Sequence, residues 1–360
     1  MLIHARYHPR RNPFLPIKIG IILSSRCVGV EDTYSEYIRV VFPRHANPAG
    51  FLYGGYMLNW IVDSGVIGIL KTIGKEAVLG YMDNVYFINP VTIGSMLIYR
   101  SWIARAGRSS LDIYTEIISY YRKTNEYKIV AAAKSIYVCV DQNGRPEPHG
   151  LCIEGRESWG KKLTEYMDKW HEKALAAIEK AKSSMGEAKG RLLRHHLRTV
   201  RRVSSEDTMT SNMMYAGRLM LILDEAAGII ASQYAGSRVV TASVDQMIFT
   251  SPIKVGDIIE TSASLTRTWR TSMEIEVTVK GSEGSDSIKT RSYFTFVKID
   301  NLGRPEPLKP YEPVTPEEVE AWEEADFRRK SRIEDLEKIS RYKGLPINYD
   351  RDYKAPYLPV

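Results

Sequence analysis

The chain states nearly the same thing twice, and this duplication limits its fold more than any other feature. GYMDNVYFINPVTIG (80–94) returns as TASVDQMIFTSPIKVG (241–256), and at a constant shift of 162 residues Asp83 matches Asp245, Phe87 matches Phe249, Pro90 matches Pro252 and Gly94 matches Gly256. The register continues through GRSSLDI (107–113) and WRTSMEI (269–275) and ends on VDQNGRPEP (140–148) and IDNLGRPEP (299–307), where the shift has become 159. A period this long is not that of a solenoid. Two copies of a small domain in one chain predict a covalent pseudo-dimer with pseudo-twofold symmetry.

Each copy reads in the same order: an extended segment (34–42 in the first), a turn-rich stretch, a long apolar helix, then four β-branched or alternating runs. The helices fall at about 54–73 and 216–234, and both are apolar nearly all round, the mark of a helix buried on most sides. The runs fall at 78–88, 95–106, 110–121 and 127–140, and again at 239–250, 257–268, 272–280 and 287–299, as expected of antiparallel strands. The predicted class is therefore α+β, with a five-stranded antiparallel sheet wrapped around a helix in each copy. The expected division is a basic N-terminal extension (1–30), a first domain (31–155), a charged linker helix (156–194), a second domain (195–312), and a C-terminal helix and tail (313–360). The linker helix should end in a basic tail, GRLLRHHLRTVRR. Thr315 as N-cap and Pro316 behind it start the last helix.

The two copies differ where chemistry would sit. Asn47 stands eight residues before Gly55, and Met209 stands eight before Gly217; Asp224 lies within the second helix, and Val62 holds that place in the first. In a pseudo-dimer each interfacial site combines a loop of one copy with a helix of the other. One site would then hold Asn47 and Asp224, and its mate Met209 and Val62, which have no acid–base capacity. Val62 shows that the helix position suits an apolar side chain, and an unpaired buried carboxylate there costs several kcal/mol or raises its own pKa, so Asp224 reads as functional. Asp63 and Glu225, one position along, match each other and read as shared supporting acids.

These features together resemble the hotdog-fold acyl-CoA thioesterases, in their tandem double-hotdog form. They are the His45-x-Asn47 loop running to Gly54–Gly55, the apolar helix carrying Asp224, the two Asp-x-x-x-Phe-x-x-Pro segments and the Arg-Ser/Thr-Ser corners. The likeness covers about 45–150 and 205–308. It implies hydrolysis of fatty acyl-CoA to fatty acid and CoA, with Asp224 as general base (or as nucleophile) and Asn47 orienting the water or the carbonyl. It implies that backbone N–H groups at Gly54 and Gly55 polarise the thioester oxygen, and that the chain assembles as a trimer of double hotdogs. The loop TSNMMYAGR, with Ala216 where the first copy has Gly54, argues against a second active site. Arg108–Ser109 and Arg270–Thr271 are candidates for the CoA phosphates, since guanidinium suits bidentate phosphate binding; the alternative is that these corners only close hairpins.

Other readings compete. His45 suggests a hotdog hydratase or dehydratase, and a non-catalytic acyl-CoA sensor would keep the pocket without needing Asp224. His195 and His196 lack partners for a metal; no Rossmann or P-loop pattern follows a strand; the basic run lacks interleaved aromatics for nucleic acid. No cofactor is expected beyond the CoA of the substrate. A net charge of +7 suits a polyanionic ligand. No run approaches the roughly 20 apolar residues of a membrane span. Cys27, Cys139 and Cys152 form no paired framework, which predicts a reducing compartment; the cytoplasm is expected, or the mitochondrial matrix if the acid-free residues 1–30 are a transit peptide. Scarce glutamine beside abundant Glu, Lys, Arg and Ile points to a thermophile.

Overall fold

The computed structural model describes residues 27–340, apart from 123, 188–190, 192, 210–211 and 282–287, together with residue 356. The first 26 residues of the expected basic extension, and with them the transit-peptide reading, lie outside the described residues. The elements run β1 (Val28–Gly29), β2 (Ser35–Val40), α1 (Gly54–Ile73), β3 (Ala77–Met82), β4 (Val85–Tyr86), β5 (Met96–Ala106), β6 (Ser110–Tyr121), β7 (Glu126–Cys139) and β8 (Ile153–Glu154). They continue with α2 (Ser158–Glu187), β9 (His196–Arg202), α3 (Ala216–Ala235), β10 (Val239–Val244), β11 (Met247–Ile248), β12 (Ile258–Thr268), β13 (Ser272–Gly281), β14 (Ile288–Lys298) and α4 (Pro316–Ser340).

Each copy is a hotdog: β3, β7, β6, β5 and β2 wrap α1, and β10, β14, β13, β12 and β9 wrap α3. The five-stranded expectation needs one refinement. Each sheet takes a sixth, two-residue strand from the other copy: β11 pairs with β3 (Met247 with Met82), and β4 pairs with β10 (Val85 with Val244). The two helices pack on each other inside one continuous apolar core. Both end on a left-handed glycine, Gly74 at φ 66° and Gly236 at φ 59°, a conformation that side chains with a Cβ adopt at a cost.

Three expectations are corrected. The basic run 196–202 is an edge strand, β9, paired with β12 along its whole length, and it takes the place that β2 holds in the first copy. Most of its residues face water, Arg198 and Arg202 among them, so its composition reads as a solvated helix although its neighbour makes it a strand. Residues 27–30 are not a free extension: β1 pairs in parallel with β8, and Val30 is fully buried. Two of the three cysteines do pair. Cys27 and Cys152, separated by 125 residues, form a disulfide beside that β1–β8 pair, while Cys139 is buried and free.

The helical additions each cover the outer face of one sheet. On α2, Leu163, Met167 and Trp170 pack against Tyr81, Trp102 and Tyr114 of the first sheet. On α4, Trp322 lies under the Arg267 guanidinium, and Arg328 stacks over Tyr293 of the second sheet. No helix among the described residues is long and apolar enough to cross a membrane.

Candidate functional site

Asp224 sits in the third turn of α3, buried at 2% exposure, where α3 crosses the start of α1. Its Oδ2 accepts the Gly55 N–H at 2.8 Å, so the free N-terminal end of the other copy's helix points at this carboxylate. Its Oδ1 accepts the Thr241 hydroxyl at 2.9 Å. The approach leaves no room for side chains on α1. A Cβ on Gly54 would stand 2.8 Å from Thr241 Cβ and 2.9 Å from Asp224 Oδ1, and one on Gly55 would stand 3.0 Å from the Leu221 Cα. Burial drives the Asp224 pKa up to about 6, against the lowering effect of the Gly55 N–H and the Thr241 hydroxyl.

Asn47 belongs to the loop that feeds α1 and is also buried. Its Oδ1 accepts the Ala49 and Phe51 N–H groups at 3.0 and 3.1 Å, which closes the turn, and its Nδ2 donates to the Val239 carbonyl at 3.3 Å. Three of the four hydrogen-bonding capacities of the amide are thus engaged within the protein, leaving one Nδ2 hydrogen. Asn47 and Asp224 meet β10 two residues apart, at Val239 and Thr241, so one strand of the second copy holds them in register. A β-bulge between Thr241 and Ser243 turns the strand directly after this contact.

Thr241, bonded to Asp224, is a member of this cluster that the sequence motifs do not single out. Its counterpart at the 162-residue shift is Leu79, the same loss of a polar group that distinguishes Met209 and Val62. Of the two glycine N–H groups, that of Gly55 is committed to Asp224, which leaves Gly54 as the donor available to a ligand. His45 packs its ring on Tyr56 and Trp60, accepts the Phe42 N–H at Nδ1, and has its pKa lowered by burial. Asp63 accepts hydroxyl hydrogens from Tyr37 and, across the interface, Tyr215, while its counterpart Glu225 is exposed.

The two arginine corners part company. The Thr271 carbonyl accepts the N–H of Lys298, which pairs with Val239, so Arg270–Thr271 lies at the sheet end that carries Asn47. The Ser109 carbonyl accepts the N–H of Cys139, which pairs with Ala77, so Arg108–Ser109 lies at the opposite, pseudo-symmetric site. Both arginine side chains are exposed.

Residues 49–123 and 211–288 each match the thioesterase superfamily. Over 314 residues the chain is 26% identical to the cytosolic acyl coenzyme A thioester hydrolase of Rattus norvegicus, covering 81% of each. Over 142 residues it is 34% identical to protein VdlD of Helicobacter pylori, covering 38% of this chain and 79% of that one. Among solved structures, an acyl-ACP thioesterase from Bacteroides thetaiotaomicron superposes with a TM-score of 0.50 at 14% identity, over 74% of this chain and 99% of its own, a likeness of fold alone. The chain belongs to the thioesterase superfamily, as a tandem pair of its hotdog domains, and is a thioester hydrolase.

Proposed function

We propose that this chain hydrolyses acyl-CoA thioesters at one composite site per chain, built from the Asn47 loop and the α1 N-terminus of the first copy and from Asp224 and Thr241 of the second. The observation that carries this reading is a carboxylate buried to 2% exposure, without a cation, whose pKa of about 6 suits a general base at neutral pH. Asp224 takes a proton from water as the oxygen attacks the thioester carbonyl. The developing oxyanion is received by the Gly54 N–H and the positive end of α1. Collapse breaks the C–S bond, and the proton held by Asp224 returns to the departing sulfur. Both Asp224 oxygens accept hydrogen bonds, which favours this base role over direct attack. The remaining Nδ2 hydrogen of Asn47 orients the water or the carbonyl. Arg270, at the Asn47 end of the sheet, is the better candidate for the CoA phosphates than Arg108. The word cytosolic in the name of the rat relative supports a cytoplasmic setting. The Cys27–Cys152 bond is compatible with that setting in a hyperthermophile, whose intracellular proteins do carry disulfides.

Release of CoA thiol from a panel of acyl-CoA esters, followed with a thiol reagent, tests the reading. Asp224→Asn should lower kcat by at least ~10²-fold with little change in substrate affinity, and Arg270→Ala should raise KM while Arg108→Ala leaves it near normal. Undiminished turnover in Asp224→Asn rules out the mechanism, and substrate binding without thiol release would make the chain a sensor.

A further inference from the structure

The pseudo-symmetric mate of the catalytic site is hollow. Where Asn47, Asp224 and Thr241 cluster on one side, Met209, Val62 and Leu79 stand on the other, and around these three lies a cavity of about 370 Å³. That volume falls within the ~300–1,000 Å³ usual for small-molecule pockets. Its wall is mostly aliphatic, sulfur-bearing and aromatic, Met213, Met214 and Phe249 included, with hydroxyl groups from Tyr215, Thr250 and Ser251. Thioether side chains adapt to ligands of varied shape, which suits a flexible chain better than a rigid ring system. Among the described residues its charged members are Lys182, near the end of α2, and Glu76, which follows the α1 cap.

We propose that this cavity is a binding site for a free fatty acid, with the tail among Val62, Leu79 and Met213 and the carboxylate at Lys182. Among the described residues, Met209, Val62 and Leu79 stand where Asn47, Asp224 and Thr241 stand in the other interface, so the site lacks that polar set and would retain a ligand without transforming it. The lysine comes from α2, an addition outside both repeats. The head group would therefore lie on the α2 side of the opening. Val62 lies seven residues beyond Gly55 on α1, about 10 Å along the helix axis at 1.5 Å per residue. The cavity thus borders the same helix whose N-terminus holds Asp224. The ligand class is read from the cavity wall and Lys182, and binding can be measured whether or not the catalytic reading holds.

Calorimetric titration of the full chain with dodecanoate and dodecanol, in the Asp224→Asn background, tests the proposal without turnover. One dodecanoate should bind per chain, more tightly than the alcohol. Leu79→Phe, which fills the wall, and Met209→Trp, at the 45% exposed rim, should each weaken dodecanoate at least ~10-fold, a change of about 1.4 kcal/mol. Lys182→Glu should remove the preference for the acid. Placed in the otherwise native chain, the two filling substitutions should leave thiol release from acyl-CoA near normal, which shows that the fold survives them. If Leu79→Phe does not fold, Met209→Trp decides alone. Dodecanoate bound equally well by the filled variants, or not bound by the parent, overturns the proposal. Loss of thiol release in the parent chain would instead count against the catalytic reading.

Discussion

At the scale of single residues, the decisive feature is a carboxylate placed where its own repeat prefers valine. A folded pKa of about 6 against a usual value of 3.8 means that the native state holds a proton more tightly than the unfolded chain between those values. Stability contributed by this group therefore falls as pH rises from about 4 to about 6, and above that the penalty is constant. Asp224→Asn should consequently stabilise the protein at pH 8, by at most ~3 kcal/mol at 1.36 kcal/mol per unit, and the gain should vanish as pH falls towards 4. Thermal melts of the two proteins across that range check it, and a stability difference independent of pH would refute it. The catalytic counterpart is a rate that rises with pH through about 6. Comparison of the repeats singles out Asn47 and Asp224 because an amide facing methionine and an acid facing valine are conspicuous. It passes over Thr241, because threonine in a β-branched run reads as an ordinary strand former. The Gly55 N–H contact is not legible at all: it joins residues 169 apart and uses a backbone atom.

At the scale of elements, the apolar helices and the long strands are legible because their periodicity and their glycine stops are local. What the sequence leaves hidden depends on neighbours: the exchanged two-residue strands, the basic edge strand β9, and a disulfide spanning 125 residues. The matched acids of the repeats gain a meaning of the same kind. Asp83 and Asp112 on the first sheet are met by α2, through Trp170 Nε1 at 2.8 Å and His171 Nδ1 at 2.6 Å. Their counterparts Asp245 and Glu274 are met by α4, through Arg332, bonded to both acids, and Arg328. Two unrelated helices thus supply partners to equivalent acids, an indole N–H and an imidazole on the first sheet and guanidinium groups on the second. Arg332→Met should cost about 3–5 kcal/mol, since it leaves two buried carboxylates short of a cation, and adding Asp245→Asn should return part of that loss. Calorimetric unfolding of the single and double variants measures both; a double variant no more stable than the single one would show that the charge is not what α4 supplies.

At the scale of the whole molecule, duplication has left two geometrically equivalent interfaces, one furnished with polar groups and one hollow. If the difference lies in side chains alone, the empty interface can be rebuilt from the first. Three changes restore the polar set: Met209→Asn, Val62→Asp and Leu79→Thr. They are insufficient by themselves. Position 216 corresponds to Gly54, where a Cβ would lie 2.9 Å from the carboxylate oxygen and 2.8 Å from the threonine Cβ. Ala216 carries that Cβ, so the restored acid would be pushed off the N-terminus of α3. Without the helix N–H, a carboxylate at position 62 is an unpaired buried charge, and Val62→Asp alone should destabilise the chain by several kcal/mol or remain protonated. Adding Ala216→Gly opens the approach and lets the Gly217 N–H reach the acid, as Gly55 reaches Asp224. In an Asp224→Asn background, the triple variant should stay silent in the thiol-release assay, and the quadruple variant should rise at least ~10-fold above it, an increment of about 1.4 kcal/mol in transition-state stabilisation. A triple variant as active as the quadruple would show that helix approach is not the limiting element. A folded quadruple variant that stays silent would show that the two interfaces differ in backbone, and that side chains alone do not tell them apart.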